Sequence, residues 1–227
     1  MKNLMLYLGL LGLISSCNQP QIEVKHIGEL RQIMHKGKFE GRISLKDLPQ
    51  ENLYALGAVK ALQGEILVLD GNPFVSRVVN GNVQIDQHLA TEATLLVYAQ
   101  VPAWDTIVIQ QVGDISQVVE QQLVIRKQHK ATPFMVLGKA NSLHYHVINF
   151  DLEQGDIQQH REGAFQETLE NEAVRILGFY ATDAQGIYTH HDSHVHMHVI
   201  NQNGDKLGHV EAVNFDHQSI QLLLPKL

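Results

Sequence analysis

Residues 190–213 read "HHDSHVHMHVINQNGDKLGHVEAV" and hold six of the chain's fourteen histidines. His194, His196 and His198 alternate with Val195, Met197 and Val199. That is the period of a β-strand, with imidazoles on one face and apolar side chains on the other. Asn203-Gly204 is the strongest two-residue hairpin signal and predicts a type I′ turn. Such a turn pairs Gln202 with Asp205, and so sets His198 opposite His209, His196 opposite Glu211 and His194 opposite Val213. Opposed residues have Cβ atoms about 5 Å apart, and i,i+2 neighbours are about 7 Å apart. Two imidazoles on one strand and one across from them can therefore share a cation at bonds of about 2.1 Å. His194 lies about 13 Å along the strand from His198, too far to join them. The hairpin thus predicts a metal triad of His196, His198 and His209, with the open fourth position of a catalytic zinc site. The competing reading is an exposed polar strand face. His190, His191 and His194 read as loop or surface residues.

The rest of the chain bounds what such a site can serve. The protein has 227 residues, 44% of them hydrophobic and 18% charged, with a formal net charge of −7. This is a globular balance without the clustered Lys and Arg of a nucleic-acid surface, so no nucleic-acid partner is expected. The N-terminus "MKNLMLYLGLLGLISSC" has one lysine, Lys2, and an apolar run from Leu4 to Ile14. That is a secretory signal, too short for a retained spanning helix. Its ending, Ile14-Ser15-Ser16-Cys17, matches a bacterial lipobox. Residues 1–17 are therefore read as a lipoprotein signal, with Cys17 lipidated and residues 18–26 as a tether. The expected protein is exported, periplasmic or at the cell surface, and touches membrane only through that anchor. Cys17 is the single cysteine, so the folded part has neither disulfides nor thiolate ligands.

Short strand-like runs dominate the remainder of the sequence: "EILVLDG", "FVSRVV", "NVQID", "ATLLVYAQV", "PFMVLG", "LHYHVINF", "RILGFYA", "HVHMHVI", "HVEAV" and "SIQLLLP". Asn- and Gly-rich turns separate many of them. Helical spacing appears in "IGELRQIMH" and in "ISQVVEQQLVIRKQ". The expected class is α/β, β-rich and α+β-like, in two lobes. Residues 27–130 form a mostly antiparallel or mixed sheet with helices. Residues 131–227 form a β-barrel-like lobe carrying the histidine hairpin.

The histidine region, "GFYATDAQGIYTHHDSHVHMHVINQNGDKLGHV", resembles the G-F…G-x-H-x-H…G-G-H-V pattern of bacterial α-acetolactate decarboxylases. Upstream, "GKFEGRISLKDLPQENLYALGAVKALQGEILVLDG" is similar to the family's glycine pattern and its D-G-E motif. "ATPF" at 131–134 and the closing "LLLP" fit as well. The resemblance runs from about Gly28 to the C-terminus. It implies a two-lobed fold with a first sheet that often continues across a homodimer. It places His196, His198 and His209 on the zinc ligands and Glu65 on the active-site glutamate. It also implies conversion of (S)-2-acetolactate, or a related 2-hydroxy-3-keto acid, to (R)-acetoin and CO2. A cation held by the substrate's oxygens would absorb developing charge, and Glu65 would carry the proton that sets product handedness.

The chain departs from the family at three places. The family's active-site arginine falls at or beside Val147, in a strand without arginine. The threonine of its G-L-G-T is Ala58, and its glutamate after the last strand has no counterpart before Leu227. His144 and His146 share a strand face and could replace the arginine as substrate-binding groups. Glu211, facing His196 in the expected register, could support a ligand or act as an acid/base. Against the enzyme stands a non-catalytic, metal- or ligand-binding periplasmic lipoprotein on the same fold.

Overall fold

The computed structural model describes residues 22–110, 112–153 and 163–226. Cys17 and the signal segment lie outside these. Among the described residues, thirteen strands and two α-helices build two sheets, and every pairing between strands of these sheets is antiparallel. Of the mostly antiparallel or mixed arrangements open to the first sheet, the antiparallel one is built. Short connections join the four consecutive strands between Leu53 and Asp86 and make those neighbours run in opposite directions.

The first sheet runs β1 (Lys25–Ile27), β7 (Glu92–Gln100), β3 (Leu53–Val59), β4 (Glu65–Leu69), β5 (Asn72–Val79) and β6 (Asn82–Asp86), with β2 (Ile43–Ser44) also on β7. Lys25 and His26, assigned above to the tether, pair with Tyr98 and Val97, so the sheet begins inside that segment. β3 and β4 are buried along their whole length. One face packs on Leu45, Leu48 and Val75, and the other carries Tyr54, Leu56 and Leu67 toward the second sheet. β4 still reads as a strand from its short apolar run, whereas β3 contains Ala55, Gly57 and Ala58, residues depleted in strands, and so is not among the strand-like runs of the sequence.

The second sheet contains β8 (Trp104–Ile109), β9 (Thr132–Val147), β10 (Phe165–Tyr180), β11 (Val195–Asn201), β12 (Leu207–Asn214) and β13 (Ile220–Pro225). β9 and β10 also pair with each other, so β9, β10, β11 and β12 close a ring of hydrogen-bonded strands. Closure removes strand edges and encloses a core of Phe134, Tyr145, Val147, Val199 and Val210. The runs "PFMVLG" and "LHYHVINF" belong to a single strand, β9. β8 precedes residue 130 yet pairs with β13, so the second sheet takes an edge strand from ahead of the division expected there.

Two helices cover the seams. α1 (Leu30–Lys36) ends at Gly37, whose left-handed φ of 61° caps the last turn. Its Leu30 and Arg31 amides bond the Ile187 and Gly186 carbonyls, fixing the helix on the loop after β10. α2 (Ile115–Ile125) starts at Asp114, whose side chain accepts the Gln117 amide. Its buried Ile115, Val119 and Leu123 fall at the four-residue spacing of one helical face.

Candidate metal centre

The histidine hairpin forms, with a different turn. Asn201 and Lys206 remain paired, and the chain crosses in a four-residue loop, Gln202–Asp205. Gly204 has a φ of 76°, whereas Asn203 is absent from the left-handed residues, so the type I′ turn is not made. The Asn201 side chain explains the wider loop. Its Oδ1 accepts the Asp205 and Lys206 amides, and its Nδ2 donates to Asp205 Oδ1 at 2.7 Å. The register survives this change, and His198 stands opposite His209.

Beyond that pair the strands part. β12 turns onto β9, where His209 pairs with His146 and the register slips between Val210 and Ala212. Glu211 is the extra residue of that bulge, so it does not face His196 as a continued register requires. A bulge re-aims its side chain. Here Glu211 reaches the His146 ring, with Oε1 2.7 Å from Nδ1. Gly208 lets the β12 backbone lie close against β9, because a Cβ there would lie 2.3 Å from the His146 carbonyl oxygen.

His196 and His198 face away from the apolar set that fills the ring and point toward the first sheet. Both are buried, at 6% and 0% exposure. Together with His209 they offer three nitrogens that all lie within 4.8 Å of one another. His198 Nδ1 is 2.9 Å from the Ile66 carbonyl. A carbonyl can only accept, so Nδ1 carries the proton and Nε2 presents a lone pair. Among the described residues, His198 Nε2 and His196 Nδ1 are buried with no hydrogen-bond partner. Two orphaned imidazole nitrogens in a buried site are costly unless a cation takes them. The donor set fits a divalent metal: three imidazoles with positions left for water or substrate.

Glu65 opens β4 on the same face as Leu67 and Leu69. It is buried, with Oε2 3.5 Å from His198 Nε2 and Oε1 3.7 Å from His146 Nε2. Its Oε1 accepts the Ile148 amide at 3.1 Å. Gly64 precedes it with a φ of 132°, and a Cβ there would sit 2.1 Å from the Ser76 carbonyl oxygen. β5 can therefore lie tight against the start of β4. His144 is not brought in: its Nδ1 lies 3.1 Å from Thr168 Oγ1, and it does not line the cavity. Val147 is buried in the second core, so the position beside it that faces the site is occupied by His146.

These groups open into a cavity of about 750 Å3 between the sheets. Leu30, Ile33 and Met34 of α1 supply apolar wall, and Glu65, His196 and His209 supply the polar end. The hydrogen-bond partners that fix the site are the backbone groups of Ile66 and Ile148, and sequence reasoning missed them. No side-chain pattern encodes them, because they come from the other lobe or from a strand end.

Burial sets the charges. It pushes the Glu65 carboxyl up to about 8, opposed by the Ile148 amide and aided by the Glu211 charge. It pushes His196 down to about 3, against a hydrogen bond to the Tyr188 backbone and with help from His146, and it holds His198 well below its usual range. The metal-free protein should show this in its stability. Between pH 8 and 4.5 the folded chain keeps a proton on Glu65 that the unfolded chain has lost, so acidification favours folding. Below pH 6.5 the unfolded chain protonates two histidines that the folded chain leaves neutral, so acidification favours unfolding. Two protons outweigh one. These three groups give a maximum near pH 6.5 and a loss that approaches about 1.4 kcal/mol per pH unit below it. Denaturant melts of chelator-treated protein at pH 8, 6.5 and 5 check this; stability still rising toward pH 5 would contradict it.

Comparison with known proteins agrees with this geometry. The family profile described as alpha-acetolactate decarboxylase matches residues 27–224. No curated protein sequence is significantly similar to the chain. The alpha-acetolactate decarboxylase of Bacillus subtilis strain 168 superposes with a TM-score of 0.72 at 16% identity, covering 90% of this chain and 86% of that one. A Staphylococcus aureus protein of unknown function, described as similar to alpha-acetolactate decarboxylase, gives 0.73 at 15% identity, covering 88% and 85%. The enzyme from Bacillus subtilis subspecies spizizenii gives 0.72 at 16% identity, covering 89% and 86%. At these identities the superpositions establish the shared fold, and the profile match from residue 27 to residue 224 establishes descent: the chain belongs to the alpha-acetolactate decarboxylase family.

Proposed function

We propose that this protein is a zinc-dependent carbon–carbon lyase that converts (S)-2-acetolactate, or a related 2-hydroxy-3-keto acid, to an α-hydroxyketone and CO2. The observation that carries the reading is a buried carboxyl, Glu65, 3.5 Å from an orphaned ligand nitrogen of a three-imidazole cluster. When bound, the divalent ion supplies the positive charge that favours electron flow onto the substrate's oxygens. The protein's own groups do the rest. The carbon–carbon bond to the carboxylate breaks, its electron pair moves onto the neighbouring carbonyl, and Glu65 returns a proton to carbon. His146, oriented by Glu211, is the imidazole beside the Val147 position, lines the cavity, and is the group we assign to the substrate's carboxylate. The sequence of residues 1–17 supports the same protein being exported and anchored through a lipid on Cys17.

One observation favours a binding protein without turnover: Val147 is sealed in the core, leaving no guanidinium at that position to hold a substrate carboxylate. Acetoin release from racemic acetolactate separates the two readings, assayed with the zinc-loaded protein and again after chelation. The decarboxylase reading expects product that disappears with the metal. No product from the loaded protein would leave the binding reading.

A further inference from the structure

A second group of donors sits at the rim of the same cavity, on the turn that leads into β11. His190, His191 and Asp192 each offer one ligand atom, and these atoms all lie within 4.8 Å of one another. The turn is closed by the Ser193 amide bonding the His190 carbonyl at 3.2 Å. It folds the His190 ring back onto Asp192, with Nδ1 2.6 Å from Oδ1. The His190 and His191 rings are 4.3 Å apart. His190, Asp192, Ser193 and His194 line the cavity that also holds His196 and His209.

We propose that this turn is a second divalent-metal site, taking an ion of the Zn2+, Ni2+ or Cu2+ class at the mouth above the buried triad. Two imidazoles and one carboxylate are the donor set such ions favour. The side chains of His190 and Asp192 are 51% and 70% exposed, so the small rotations needed for bonds of about 2.1 Å disturb no packing. The ion takes the place of the His190–Asp192 hydrogen bond, and water completes its coordination. That makes the site weaker than the dehydrated three-imidazole cluster. The inference does not depend on catalysis, and it holds or fails separately from the lyase reading.

Zinc titration of the purified, metal-free chain against a chromogenic chelator tests it. The wild type is expected to bind two equivalents, one tight and one weak. The triple variant H190N/H191N/D192N should lose the weak class by at least about tenfold in affinity and keep the tight one. The double variant H196N/H198N should do the reverse, and the weak class should persist there even if the lyase reading is wrong. A single equivalent in the wild type, or weak binding unchanged in the triple variant, overturns the proposal.

Discussion

If the lyase reading holds, Glu65→Gln is expected to lower the rate of acetoin formation by about 10²- to 10⁴-fold, the usual contribution of a positioned proton donor, and to leave metal binding in place. The amide is nearly isosteric with the carboxyl, and its oxygen can still accept the Ile148 amide now held at 3.1 Å. The three imidazoles are untouched, so metal content stays at the wild-type level. What is lost is the proton delivered to carbon, and residual product should lose its single handedness. Chiral chromatography of the acetoin, with metal analysis of the same sample, reads both effects. Wild-type turnover in this variant would remove Glu65 from the chemistry.

His198→Ala has the larger effect on metal binding. Its ring is fully buried, pinned at Nδ1 by the Ile66 carbonyl and presenting Nε2 to the cluster. Loss of an outer hydrogen-bond partner of a ligand already costs about 10- to 100-fold in affinity, so loss of a ligand should exceed roughly 100-fold. Thermal stability gives a second readout. At zinc about a thousandfold above the dissociation constant, the wild type gains about 4 kcal/mol, or roughly 10 °C in Tm. A 100-fold loss leaves the variant at about ten times its dissociation constant, so at the same zinc concentration it should gain no more than about 1.4 kcal/mol, roughly a third of the wild-type shift. Comparing each protein with its own metal-free melt separates this from the cavity the truncation leaves. An undiminished zinc-induced shift would mean that the cluster does not hold the ion.

How much of this is legible in the chain follows from which forces are local. The alternation in β11, the apolar spacing of α2 and the pairing of His198 with His209 are short-range consequences of side-chain order. The turn type is just as local, but the Asn-Gly signal alone misses it, because the Asn201 side chain just ahead of it accepts the Asp205 and Lys206 amides. Glu211 departs from its expected place for a related reason: extrapolating one strand pair assumes that β12 keeps the same neighbour, and β9 takes it away. β3 is missed because Ala55, Gly57 and Ala58 give it little of the β-branched and aromatic content that marks the equally buried β4.

By itself, the sequence determined the β-rich class, the pairing of His198 with His209 and the three histidines that converge, since each depends on residues close along the chain. Tertiary structure alone decided that the histidine face is buried and not solvated, and that Glu65 arrives beside it from the other sheet. It also decided that His146 is the group that reaches in beside the position expected for the family's arginine. The physical reason is the same in each case. Burial and long-range contact depend on how the two sheets meet, with the Ile66 carbonyl reaching His198 across 132 residues of chain, and no local periodicity records that meeting.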